Sequence, residues 1–93
     1  MNRAEGEVLA GRHLEPYRQR SYADLLRLLT TPEPFEGNSP SGVAYSGEVY
    51  ALWDDQPHHN LRVWSDVSWG GWSDFHPVTV QFIIAPDGSF VGE

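Results

Sequence analysis

Residues 43–69 read VAYSGEVYALWDDQPHHNLRVWSDVSW, and their period of two sets the architecture. Val43, Tyr45, Val49, Ala51 and Trp53 alternate with Ala44, Ser46, Glu48, Tyr50 and Leu52. Beyond the turn-rich stretch 54–60, Leu61, Val63, Val67 and Trp69 alternate with Arg62, Trp64, Asp66 and Ser68. Successive side chains of a strand point to opposite faces, so each run sends one apolar set inward. Residues 78–84, VTVQFII, repeat the pattern, with Val78, Val80, Phe82 and Ile84 against Thr79, Gln81 and Ile83. Pro86–Asp87–Gly88 joins a fixed φ to an Asx side chain and a residue free to take positive φ. That combination predicts a hairpin turn and a fourth strand over Ser89–Gly92.

Upstream the period becomes helical. Ser21 with Asp24 forms a pair like a capping box, and Tyr22, Leu25, Leu26 and Leu29 fall on one face at i, i+3, i+4 and i+7. Thr30–Thr31–Pro32 stops this main helix, and the Pro, Gly and Asn of residues 32–42 read as a loop. Residues 1–20 form a separate N-terminal segment. Val8, Leu9 and Leu14 make a weak helical stripe that Gly6, Gly11 and Pro16 interrupt, so the segment reads as weakly helical, with room for a short helix, or disordered. The expectation is one α+β domain over residues 21–93, a main helix packed on a four-stranded antiparallel meander in the order α-β-β-β-β. This resembles the cystatin-like architecture in its order of elements. No family motif accompanies the resemblance, so no activity follows from it.

The chain has 93 residues, 40% of them apolar and 20% charged, with a formal net charge of −7 and no cysteine. Disulfides, thiolate metal sites and thiol nucleophiles are thereby excluded. No apolar run approaches a membrane span and no signal-peptide pattern is visible, so the expectation is a cytoplasmic protein. All six cations are Arg. Five of them stand against four carboxylates in residues 1–30, a net +1, whereas residues 31–93 hold one Arg against nine carboxylates, a net −8. Such a surface repels phosphate, which argues against nucleic-acid and anionic-membrane partners and favours a basic one.

Three constellations compete for function. Asp54, Asp55, His58, His59 and His76 resemble metal ligands along the chain, but a strand length separates His76 from the rest, and the others lack an organising spacing. They read as solvated turn residues, and neither a metal nor another cofactor is assigned. Trp69–Gly70–Gly71–Trp72, with Asp74 and His76, offers a second possibility: an aromatic-lipped small-ligand site at Trp69, Trp72 and His76. There Asp74 would orient His76 for acid–base chemistry. The third is an anomaly of the outer sheet face, which is apolar at Tyr50, Leu52, Trp64, Ile83 and Val91. Pairing Trp53 with Leu61, Val67 with Val80 and Ala85 with Ser89 lines up Tyr50, Trp64, Ile83 and Val91 in one row, with Leu52 beside it. The segment 1–20 folding back through Val8, Leu9, Leu14 and Tyr17, a second copy of the chain, a different protein, or a flat saccharide on Trp64 would cover that row. The favoured reading is a non-catalytic interaction protein using the outer face, as a homodimer or with a basic or neutral protein partner.

Overall fold

A computed structural model describes residues 1–92. One long helix, α1 (Arg3–Arg18), packs on a four-stranded antiparallel sheet of β1 (Glu33–Asn38), β2 (Ala44–Trp53), β3 (Leu61–Ser68) and β4 (Val78–Ile84), in spatial order β1-β2-β3-β4. The fold class is the expected α-β-β-β-β meander, but two of its elements are filled by other residues than the periodicity suggests.

The first difference is the helix. Asn2 caps α1 by accepting from the Glu5 N–H at 2.9 Å, and Leu9, Ala10, Leu14 and Tyr17 bury one face over β3 and β4. Gly6 does not break this helix. It lies beneath the Trp69 ring, where a Cβ would come within 2.9 Å of Cζ3, so its lack of a side chain sets how closely helix and sheet approach. Pro16 sits in the last turn, so its missing N–H removes a single i→i−4 bond just before the helix ends at Arg18. The segment from Ser21 is capped as read, Ser21 Oγ accepting from Asp24 N at 3.1 Å. It gives only a single α-turn, α2 (Tyr22–Leu25), followed by a 3₁₀ turn over Leu26–Leu29. With three residues per turn, Leu28 replaces Leu29 as the buried neighbour of Leu25.

The second difference is the first strand. Residues 32–42, read as a loop, contain β1, which pairs with β2 through Glu33↔Val49, Phe35↔Gly47 and Asn38↔Ala44. Ser89–Gly92 is not the fourth strand. The expected turn forms, Asp87 Oδ1 accepting from the Ser89 N–H and hydroxyl, and Ala85 and Val91 N–H donate to Ser89 and Ile83 carbonyls. Beyond it the chain makes one isolated bridge, Ile84↔Phe90.

The core occupies one face of the sheet. Leu14, Tyr17, Leu25 and Leu28 meet Val49, Ala51, Leu61, Val63, Phe82 and Ile84, while Leu9 and Ala10 meet Tyr45 and Val67. Two polar side chains between them are partnered, whereas the Ser65 hydroxyl is buried among them without a partner. Tyr17 donates to Glu33 Oε1 at 2.9 Å, and burial together with that carboxylate pushes its hydroxyl up to about 12. His13 stacks on Phe35 at 3.9 Å and hydrogen-bonds the Tyr45 hydroxyl at 2.8 Å, and burial lowers its pKa. Phe35 in turn covers Gly47, so imidazole, phenyl and bare backbone form one stack from helix to sheet.

Candidate functional site

Because both helical segments lie on the inner face, no element among the described residues covers the outer one. Of the four candidate covers for the outer row, residues 1–20 are placed elsewhere: Leu9, Leu14 and Tyr17 are buried on the inner side, and Val8 points to solvent.

The predicted β2–β3 register holds, with Trp53↔Leu61 and Tyr50↔Trp64. The β3–β4 register does not. Val67 pairs with Val78 rather than Val80, so Gln81 stands opposite Trp64 and Ile83 opposite Arg62. A two-residue shift keeps every side chain on its expected face but splits the row. Two adjacent rows result. One runs Tyr50, Trp64, Gln81; the other runs Leu52, Arg62, Ile83, with Val91 next to Ile83 through the Val91 N–H to Ile83 carbonyl bond. The cause is the compact connection 69–77, whose 3₁₀ turn Gly71–Asp74 lets pairing start immediately at Val78.

The Tyr50 and Trp64 rings stack with centroids 6.2 Å apart and planes 8° from parallel. Leu52 is 53% exposed and Val91 38%. The Arg62 guanidinium stands 5.6 Å from the Trp64 ring centroid, held by Nε donating to Asp54 Oδ1 at 3.0 Å, by Nη2 to the same oxygen, and by Nη1 to Gln81 Oε1 at 2.7 Å. One row further, Glu48 faces Asp66 directly. Desolvation, with Glu48 as a smaller contribution, raises the Asp66 carboxyl above the usual range, and a hydrogen bond with the Tyr50 hydroxyl opposes this. Asp66 Oδ1 and Trp64 Nε1 are both buried without a partner.

The raised Asp66 pKa gives a pH prediction. Between the ordinary aspartate value and the raised one, the folded state holds more protons than the unfolded, so this group's contribution to stability falls as pH rises. Urea midpoints of wild type and Asp66→Asn compared from acid to neutral pH should diverge progressively in favour of the variant; parallel curves would sink the assignment.

The other end of the sheet is organised differently. Asp74 Oδ1 accepts from the Gly70 N–H at 3.1 Å, and Ser73 Oγ bridges Trp69 N and Gly70 O at 2.9 and 2.8 Å, so both side chains close the turn. No hydrogen bond or ion pair joins Asp74 to His76 among the described residues. The His76 ring lies against Trp72 at 4.6 Å, and its carbonyl accepts from Arg3. Trp69 is half-buried over Gly6, whereas Trp72 and Phe75 are 75% and 79% exposed. A shallow depression of about 320 Å³ there is walled by Tyr45, Ser68, Trp69 and Asp74, with Trp72 and His76 outside it.

In the 54–60 turn, Asp54 binds Arg62 and Asp55 faces His59 Nδ1 at 3.3 Å. No group of three His or carboxylate side chains placed to hold a metal ion occurs among the described residues. Two features have no counterpart in the sequence reading. One is exposed Phe75, outside any alternation. The other is an open apolar cleft of about 570 Å³ where Val8, Leu9 and Arg12 of α1 meet Pro40 and Ser41. The cleft joins a helix to a hairpin turn some thirty residues away, a contact that periodicity does not reveal. No helix among the described residues is long and apolar enough to cross a membrane. Compared with family models, curated proteins and solved structures, the chain matches none.

Proposed function

We propose that this chain is a small acidic, non-catalytic interaction domain, cytoplasmic in setting, that docks a basic or neutral protein partner on its outer sheet face. The observation that carries the reading is the bare face itself. A sheet covered by helices on one side only is ordinarily polar on the other, and here that side holds a stacked Tyr50–Trp64 pair beside Leu52, Ile83 and Val91. Aromatic anchors rimmed by charge are the composition of binding hot spots. Charge favours a partner over a second copy. Two copies, each with a formal net charge of −7, repel one another, while a basic surface would be attracted by the Glu48–Asp66 row.

The experiment is selection from an unbiased peptide-display library on the immobilised chain, followed by amide-shift mapping of the selected peptides and light scattering of the free chain. Peptides should perturb residues 46–52, 62–68 and 79–83, and Trp64→Glu should weaken them at least about tenfold while leaving the free chain folded. Mapping to 69–76, with loss in Trp72→Ala and His76→Ala instead, would move the function to the small-ligand end. A concentration-independent dimer dissociated by Trp64→Glu would give the face to a second copy.

A further inference from the structure

The outer face carries one electrostatic problem that the chain does not solve with its own residues. Glu48 and Asp66 are direct cross-strand partners, a placement that brings side-chain Cβ atoms about 4.5–5.5 Å apart and is unfavourable for like charges. The chain's cations are engaged elsewhere or distant. Arg62, the one Arg on this face, is held by Asp54 and Gln81; Arg20 by Glu33 and Asp24; Arg27 by Asp24. Asp66 is half-buried: the Tyr50 hydroxyl hydrogen-bonds its carboxylate, while Oδ1 is buried without a partner and among the described residues no cation balances the charge. Immediately beside the two carboxylates stand the stacked rings of Tyr50 and Trp64, a half-buried aromatic shelf that Arg62 already borders at 5.6 Å.

Resting on the docking reading above, we infer that the Glu48–Asp66 pair with the Tyr50–Trp64 shelf is a seat for an arginine side chain of the partner. A guanidinium is planar, matches carboxylate oxygens through parallel N–H donors, and stacks on aromatic rings with little loss of hydration. Lysine would satisfy the charge but neither the fork nor the stacking. A metal ion is the poorer occupant, because two carboxylates on adjacent strands supply too few ligands.

The seat costs the free chain stability and returns it on binding, which separates it from a structural role. Asp66→Asn should raise the thermal midpoint of the free chain by a few degrees. The probe is a capped pentapeptide with a central arginine between two leucines, titrated to millimolar concentration and compared with its lysine and citrulline versions. The arginine peptide should shift the Glu48, Tyr50, Trp64 and Asp66 amides. It should bind several-fold more tightly than the lysine version and at least about tenfold more tightly than the citrulline version, and lose about tenfold with Asp66→Asn or Glu48→Gln. Absence of shifts at those four residues overturns the seat. So does a fall in the Asp66→Asn midpoint, which would mean that the chain itself, through the Tyr50 hydroxyl, already uses the carboxylate. Equal binding of arginine and citrulline peptides at the outer face rejects the seat and leaves the docking reading intact. Display-selected peptides mapping elsewhere reject that reading itself.

Discussion

Gly47→Ala is expected to lower the urea midpoint by roughly a third to a half, because the midpoint falls in proportion to the stability lost. Gly47 lies in the middle of β2, opposite Phe35 on one side and Val67 on the other. A Cβ there would overlap the Asp66 carbonyl oxygen of the neighbouring strand and stand 2.6 Å from the Phe35 ring. Neither obstacle gives way locally. The carbonyl belongs to the central β2–β3 pairing, and Phe35 is held from above by His13, which Tyr45 fixes in turn. Overpacking strain is commonly about 1–3 kcal/mol, and a clash with backbone in a central strand pair should reach or exceed the top of that range. Total stability for a domain of this size is about 5–10 kcal/mol. A midpoint equal to wild type would mean that β2 and β3 separate there without penalty. The same substitution at Gly42, where φ is +84° and nothing lies within 4 Å of the Cβ position, should be much milder.

The second large effect concerns residues 1–20. Their removal should leave residues 21–93 without a cooperative fold, because Leu9, Ala10, Leu14 and Tyr17 cover both core clusters. Exposing the surfaces that these side chains bury forfeits on the order of 6 kcal/mol, comparable with the whole stability. Amide spectra of the truncated chain should lose their dispersion, and adding a peptide of residues 1–20 should restore it in part. A truncated chain with a dispersed spectrum would show that α1 is an accessory.

The legible part of this fold was the part written in period two. β2, β3 and β4, the turns between them and the β2–β3 register follow from alternation and from Pro-Asp-Gly chemistry. β1 was hidden because Pro34 and Gly37 are turn residues by composition. At a sheet edge a proline needs no ladder donor, and Gly37 makes room for Tyr45, whose hydroxyl would lie 2.8 Å from a Cβ. Helix α1 was hidden for a related reason. Its buried face includes Gly6, Ala10 and His13, residues that carry little apolar signal yet are chosen by Trp69, the sheet and Phe35. The outer-face residues were found by parity, which a two-residue register shift preserves. Their grouping was not, because the length of pairing consumed by the 69–77 turn is a tertiary quantity. Glu48 and Asp66 are legible as the acidic rim of the outer face, and their direct opposition follows from the same β2–β3 pairing.

Helix α1 has a consequence for how the chain comes off the ribosome. It is made before the whole sheet, yet it rests on β3 and β4, and Arg3 finds its acceptor on His76, 73 residues later. A sixteen-residue helix is marginal alone in water. The roughly 60 residues between α1 and β4 take about 3–12 s to synthesise at ordinary rates. For those seconds β1–β3 can pair with freshly made neighbours while their apolar side waits for a completed sheet, and the undocked segment that carries Leu9 and Leu14 waits with it.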